Sequence, residues 1–143
     1  LITSSAASDV YKRQKKCNTC GITKPIKDYY LTGRFTKDGK NIPRAKCKSC
    51  VEDVKRKRRD ATRKFVNDYK AERGCERCGY SKETHKNFTP KALEFHHPRD
   101  DKEFAIGDAA NKGKSIKSIK NEIIKCVLLC ARCHAEIHHG NEI

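Results

Sequence analysis

Four C-x2-C pairs constrain the fold of this chain more than any other feature of its sequence. Eight of the nine cysteines form these pairs. Two residues between two thiolates allow one tight turn to present both sulfur atoms to a single ion, and two such turns complete a tetrahedral site. The spacing therefore predicts two zinc ions, one held by Cys17, Cys20, Cys47 and Cys50 and the other by Cys75, Cys78, Cys130 and Cys133.

These zinc ions are expected to be structural, because four thiolates leave no coordination position for water. The chain has 143 residues, of which 36% are hydrophobic and 36% charged. A small core of this kind gains folding free energy from metal binding. Two alternatives stay open: disulfides, which a reducing compartment disfavours, and an interleaved pairing between the two halves. Cys126 is expected to be a small buried hydrophobe, with a spare ligand or a redox thiol as the alternative.

An excess of positive charge is the second constraint. Lysine and arginine number 33 and aspartate and glutamate 18, which gives a net charge of +15. Such an excess favours a polyanionic partner, most commonly nucleic acid. No apolar run approaches the roughly 18–20 residues that span a membrane, and the start of the sequence has no secretory pattern. We therefore expect no membrane association and a cytoplasmic location, and not a secreted disulfide scaffold.

The beginning of the chain stands apart from the rest. The stretch from Ser4 to Gln14 resembles the in-frame translation of a sequencing adaptor, with a disordered polar leader as the alternative. Residues 1–14 are therefore kept out of the fold prediction as a non-native leader. Two zinc units are expected to follow, over 15–73 and 74–143.

The first unit reads as a zinc knuckle, a hairpin, a second knuckle and a helix. Asp38-Gly39 is a hairpin signal after a strand rich in aromatic residues. A weak helical stripe over about 51–72 ends before Gly74, which predicts the terminus of the helix. Knuckle, hairpin and helix in this order resemble a treble-clef zinc finger.

The predicted helix is surrounded by positive charge. The segment from Arg44 to Arg73 holds 12 bases and 5 acids, a net of +7. Consecutive positions on a helix point in all directions, as expected for a segment that lies along phosphates. A solvated linker helix and a nuclear-import signal are the alternatives. The residues expected to bind nucleic acid are Lys55, Arg56, Lys57, Arg58, Arg59, Arg63 and Lys64.

The second unit mixes short strands and helices. Lys91 to His96 reads as a strand that Pro98 stops, and a polar loop of about ten residues follows. Ser115 predicts a helix cap, and a buried run from Val127 to Leu129 leads into a closing helix near Cys133. The helix after Ser115 is expected to bury Ile116, Ile119, Ile123 and Ile124.

Five of the six histidines form two clusters, which carry the candidate chemistry. His134 and His138 are four residues apart on the closing helix and share one face, so they can bind one metal ion. The second zinc site ties this helix to the strand that ends at His96-His97. A purely structural zinc site is the alternative, and His85 and His139 are expected to have surface roles.

The segments KALEFHHPRDDKEF and KCVLLCARCHAEIHH resemble the HNH (His-Me finger) endonucleases, especially the phage-like type with a C-x2-C…C-x2-C-H frame. The resemblance covers roughly residues 75–140, and it implies a protein of a bacterium or a phage-infected host cell. It implies a small α+β fold in which the treble-clef-like unit with its basic helix precedes a ββα-metal domain. It also implies that His97 is the general base for hydrolysis of double-stranded DNA, without a small-molecule cofactor. The catalytic divalent ion (Zn, Ni, Mn or Mg) would be bound by His96, His134 and His138.

The sequence departs from that family at one position. The central asparagine of the family name falls at Lys125, and in the family it helps to hold the loop that bears the general base. Asn121 and Asn111 are the candidates to replace it. The departure favours an alternative function, a non-catalytic nucleic-acid-binding zinc protein with a degenerate HNH fold. Arg99, Lys102 and Arg132 flank the site as phosphate contacts or as solvated charges.

Overall fold

The computed structural model describes residues 13–140. The predicted adaptor-like leader therefore lies outside the described residues except for Arg13 and Gln14, and Gln14 already belongs to the first strand. The chain forms two compact units, an N-terminal unit up to Arg56 and a C-terminal unit from Lys57. Both contain short strands and helices, so the protein is a small α+β protein.

The N-terminal unit consists of two antiparallel strand pairs followed by the start of a helix. The hairpin predicted at Asp38-Gly39 is confirmed, and the backbone N–H of Gly39 donates to the carbonyl of Thr36 at 3.0 Å. The first pair joins β1 (Gln14–Lys16) to β2 (Thr23–Pro25), and the second joins β3 (Tyr29–Phe35) to β4 (Asn41–Cys47).

The core of the N-terminal unit is small and is built around sulfur. Cys17, Cys47 and Cys50 are buried with Tyr29, whose hydroxyl donates to the carbonyl of Lys15 at 2.5 Å. The other large apolar residues of the hairpin stay exposed, because this unit has little else to pack against them. They are Tyr30, Leu31, Phe35 and Ile42.

Helix α1 (Lys48–Arg73) begins three residues before the predicted start and ends as predicted at Gly74. Gly74 has a φ of +69°, and its N–H donates to the carbonyl of Lys70 at 3.0 Å. The charged helix buries Thr62 and Val66. No helix within residues 13–140 combines the length and the apolar character needed to cross a bilayer.

Gly74→Ala should destabilise the C-terminal unit more than a glycine replacement at an open site. A β-carbon at Gly74 would lie 2.8 Å from the Ser81 β-carbon and 2.9 Å from the Tyr80 carbonyl oxygen. The left-handed φ alone costs an alanine roughly 1–2 kcal/mol, and the collision with backbone adds to that cost. Gly79→Ala is the matched control, because Gly79 has φ +72° and no neighbour within 4 Å. Thermal unfolding of zinc-loaded protein measures both; equal losses would contradict the contribution of the collision.

The C-terminal unit folds around one strand pair and three further helices. The elements are β5 (Leu93–His96), α2 (Ile106–Asn111), α3 (Ile116–Ile123), β6 (Val127–Cys130) and α4 (Ala131–His139). Strand β5 pairs with β6 in antiparallel register, with Leu93 opposite Cys130 and His96 opposite Val127. One core cluster joins Val66 of α1 to α2 and α3, and a second surrounds the sulfur atoms of the unit; Phe95 packs against both.

The loop after β5 spans residues 97–105, close to the predicted length, but it is followed by helix α2, which the sequence did not indicate. This helix has six residues, too few for a helical repeat to show in the sequence. It forms because Ile106, Ala109 and Ala110 are buried in the core cluster that includes Val66.

The predicted cap of α3 is confirmed, and half of its predicted apolar face is wrong. The Ser115 hydroxyl accepts the backbone N–H of Ser118 at 3.2 Å. Ile119 and Ile123 are buried, whereas Ile116 is 38% exposed and Ile124 is 80% exposed. Successive helical residues are rotated by about 100°, so Ile124 points well away from Ile123.

Candidate functional site

The first cysteine group forms at the turns that flank the N-terminal hairpin. The sulfur atoms of its four members lie within 4.8 Å of one another. The backbone N–H groups of Cys47 and Thr19 donate to the Cys17 sulfur at 3.3 and 3.4 Å. These backbone donors, chiefly that of Cys47, lower the pKa of Cys17 to about 5. The group, Cys17, Cys20, Cys47 and Cys50, could hold a structural ion such as zinc, in the predicted pairing.

The second cysteine group joins the knuckle after α1 to the junction between β6 and α4. Its sulfur atoms also lie within 4.8 Å of one another. Burial raises the pKa of the Cys75 thiol, but backbone N–H donors led by that of Cys78 outweigh it and lower the pKa to about 6. The ligand set Cys75, Cys78, Cys130 and Cys133 could hold a second structural ion, again as paired from the sequence.

The structure brings together three histidines that the sequence places in two clusters. His96 ends β5, and helix α4 leaves β6 beside Leu93 and runs back toward His96. The ring centroids of His134 and His138 lie 5.2 and 5.0 Å from that of His96 and 4.8 Å from each other. One ring nitrogen from each residue lies within 4.8 Å of the others. The three imidazoles could therefore bind one metal ion such as zinc.

The surroundings of His96 favour the neutral form that a metal ion needs. Burial, followed by the nearby histidines, lowers the pKa of His96. The Nδ1 atom of His134 lies 2.7 Å from a carboxylate oxygen of Glu94. Donation of Nδ1–H to that carboxylate leaves Nε2 of His134 for a metal ion. Sequence reasoning missed Glu94, although its position between Leu93 and Phe95 places it on the outer face of β5.

His97 lies outside the triad and faces the protein interior. Its side chain is only 9% exposed. Its Nε2 atom is 2.9 Å from the Glu122 carboxylate and 3.2 Å from the Cys126 sulfur. Because an ionised carboxylate only accepts hydrogen bonds, Nε2 carries the proton in the neutral ring.

The Glu122 carboxylate is 1% exposed and was missed by sequence reasoning. Burial raises its pKa, but hydrogen bonds from the Glu103 backbone, Lys125 and His97 outweigh burial and lower the pKa to about 2. A signal was available, since Glu122 interrupts the apolar face of α3 between Ile119 and Ile123.

Asn111, a candidate substitute for the asparagine of the HNH pattern, and Lys125, which stands at its position, have different surroundings. Asn111 accepts a hydrogen bond from Arg63 at 2.9 Å. Lys125, at the departing position, reaches Glu122 at 3.1 Å and the carbonyl of Asp101 at 3.3 Å. The lysine therefore contacts the loop that follows His97.

Cys126 is partly buried and packs against the core cluster that contains Val66. Burial and the nearby Glu122 charge raise the pKa of its thiol to about 11. The sulfur therefore stays protonated at neutral pH and is neither a ready ligand nor a reactive thiolate.

The remaining histidines are exposed, as predicted. His85 lies 2.9 Å from the Thr84 hydroxyl and contacts the Tyr80 ring. His139 follows His138 on α4, and their ring centroids are 6.3 Å apart.

All seven bases proposed to bind nucleic acid lie on α1, and every one except the half-buried Arg59 is exposed. Several face an acid one turn away: Lys55 is 2.8 Å from Glu52 and Lys64 is 2.6 Å from Asp68. Exposed pairs of this kind are worth only about 0.3–0.5 kcal/mol. Such weak pairs allow the basic side chains to leave an aspartate or glutamate and bind a phosphate instead.

The cysteine groups and the histidine triad differ in what they can do chemically. Four thiolates close the coordination sphere of a zinc ion, whereas three imidazoles leave positions open for water or substrate. A basic chain with an open metal site is suited to chemistry on a polyanion. Comparison with protein-family models, curated proteins and solved structures gave no match.

Proposed function

We propose that this protein is a metal-dependent DNA endonuclease of the HNH type. In this proposal a treble-clef-like zinc module precedes a ββα-metal domain. The observation that carries it is the convergence of His96, His134 and His138 beside a fourth histidine, His97, held by a buried carboxylate. The order β5, β6, α4 supports a ββα-metal arrangement, because one ligand comes from the first strand and two come from the helix.

The triad favours particular ions. Imidazole ligands suit zinc, nickel and other transition metals, whereas magnesium prefers oxygen. A divalent ion bound there would neutralise charge on the scissile phosphate and on the departing 3′-oxygen. Glu94 orients His134 for that ion, and the low pKa of His96 keeps its ring available at neutral pH.

His97 acts as the general base in this proposal. With the proton on Nε2 held by Glu122, the Nδ1 atom accepts a proton from the attacking water. The new bond joins the water oxygen to phosphorus, and the bond from phosphorus to the 3′-oxygen breaks. The products carry a 5′-phosphate and a 3′-hydroxyl, and solvent supplies the proton to the 3′-oxygen.

The basic surface of α1 supplies the contact with double-stranded DNA. Lysine and arginine side chains that replace counterions on phosphates bind DNA of any sequence, and their affinity falls as the salt concentration rises. The +15 net charge adds attraction over a longer range. Arg99 and Arg132 pair at 3.7 and 3.6 Å with exposed acids beside the site and are available as further phosphate contacts.

His97→Ala should abolish metal-dependent nicking of supercoiled plasmid. General acid–base catalysis contributes about 10²–10⁴-fold, so we expect a rate loss of that size in Mn²⁺ or Ni²⁺. His85→Ala replaces an exposed histidine and is the matched control that should nick at the wild-type rate. DNA binding without nicking of the plasmid in any divalent metal would contradict the endonuclease proposal and leave the non-catalytic binding protein.

A further inference from the structure

A carboxylate is buried on the apolar face of α3. Glu122 lies between the buried Ile119 and Ile123 and is 1% exposed. Burial of an ionised carboxylate costs several kcal/mol unless hydrogen bonds compensate. An apolar residue would fill this position at lower cost, so the partners of Glu122 indicate why a carboxylate is there.

The two oxygens of Glu122 have different partners. Oε1 accepts from Nε2 of His97 at 2.9 Å and from the backbone N–H groups of Glu103 and Phe104 at 2.8 and 3.4 Å. Oε2 accepts from Lys125 at 3.1 Å. One carboxylate thus joins the His97 ring to the loop that follows it.

Lys125 closes the same network from the other side. Its ammonium group donates to the carbonyl of Asp101 at 3.3 Å and to the side chain of Glu103. Together with Glu122, it fixes residues 101–104 from both the backbone and the side chains. The lysine therefore has a positioning role at the point where the sequence departs from the HNH pattern.

Cys126 limits the choice of tautomer of His97. Its thiol donates to the backbone carbonyl of Glu122 at 3.3 Å, so its sulfur faces Nε2 of His97 as an acceptor. With a carboxylate oxygen and a sulfur lone pair both directed at Nε2, the proton of a neutral ring belongs on Nε2. The Nδ1 lone pair is then free.

We propose that Glu122 is a positioning residue for His97: it holds the ring in the Nε2–H tautomer and anchors the following loop, with Lys125 fixing the carboxylate. The tautomer is inferred from the contacts of the His97 ring alone. The use of the Nδ1 lone pair in a reaction rests on the proposed function. Glu122 acts on the reaction through His97 and does not touch the triad.

Glu122→Gln is a sharp test, because the amide keeps the shape but has one acceptor oxygen instead of two. In one orientation the NH2 group of the amide faces the ammonium group of Lys125, and in the other it faces the N–H donors of His97 and the loop. Either way two hydrogen-bond donors oppose each other. We expect the plasmid-nicking kcat to fall, by less than the roughly 10²–10⁴-fold that a general base contributes in full. KM for DNA and zinc content should not change.

The tautomer provides a readout that does not depend on nicking. Nitrogen-15 NMR of the zinc-loaded full chain, with the His97 signals assigned from His97→Ala, should show protonated Nε2 in the wild type and a mixture in Glu122→Gln. Glu83→Gln replaces an exposed carboxylate and should alter neither readout. If Glu122→Gln does not fold, Lys125→Gln tests the same network and should show a smaller loss of kcat.

The outcomes separate this inference from the proposed function. A wild-type protein that never nicks DNA but shows the Nε2–H tautomer, lost in Glu122→Gln, would overturn the endonuclease and support the positioning of His97. A Glu122→Gln or Lys125→Gln protein with the wild-type tautomer and kcat would overturn the inference. So would a wild-type ring protonated on Nδ1.

Discussion

Cys133→Ser will unfold the C-terminal unit. The Cys133 sulfur is one of four within 4.8 Å of one another, and the residue is 1% exposed among Leu93, Leu128 and Leu129. A structural zinc site of four cysteines contributes apparent binding free energy of about 10–16 kcal/mol, which matches or exceeds the roughly 5–15 kcal/mol stability of a whole domain. The serine hydroxyl is a poor zinc ligand and is left buried without its ion.

Circular dichroism, proton–nitrogen correlation spectra and zinc analysis measure this effect together. Cys133→Ser should lose one zinc ion per chain and the dispersed signals of residues 57–140. Cys126→Ser is the matched control, because Cys126 lies in the same unit but outside both cysteine groups. It should keep its zinc and its fold. A folded Cys133→Ser protein with the full zinc content would show that the four sulfurs do not form one site.

The metal-binding groups were predictable because their information is local. A C-x2-C turn presents two sulfurs whatever surrounds it, so the four turns could be read from spacing. Which two turns share an ion stayed open between two pairings, and the structure has the expected one. The convergence of His96 with His134 and His138 was expected from the second cysteine group, and in the structure the pairing of β5 with β6, the strand that leads into α4, brings them together. A histidine pair four residues apart on a helix already selects one face.

The surroundings of His97 were not predictable, because they depend on tertiary contacts. The position of Glu122 in the apolar face of α3 indicates burial, but its partners Glu103 and Phe104 come from a loop 19 and 18 residues away, and helical spacing does not identify them. In the sequence alone, Lys125 is only a departure from the HNH pattern, for the same reason. Its role appears only when the loop is in place.

The boundary between the units shows the same limit. The sequence indicated a division at Gly74, where the helix ends, but the C-terminal unit begins at Lys57. The reason is that α1 contributes Val66, with Phe65 and Tyr69 beside it, to the core formed by α2 and α3. Helical periodicity marks which residues of α1 are apolar; it does not say which part of the chain covers them.

His138→Ala should remove the open metal site and leave both cysteine groups intact. The His138 ring centroid lies 5.0 Å from that of His96 and 4.8 Å from that of His134, so its loss leaves two ligands. Removal of an outer-shell partner alone costs about 10–100-fold in metal affinity. A ligand contributes more, so we expect nickel affinity to fall by at least about 100-fold and plasmid nicking to fall with it.

Nickel titration calorimetry on protein that holds two zinc ions per chain, one for each cysteine group, measures the affinity, and His139→Ala is the matched control. His139 is the next residue on α4 but is absent from the triad, so its replacement changes the histidine content of the helix without removing a ligand. Unchanged nickel binding in His138→Ala would contradict a triad site. Loss of nickel binding with nicking retained would instead separate the triad from the reaction, because an ion that the cleavage step needs cannot be lost without slowing that step.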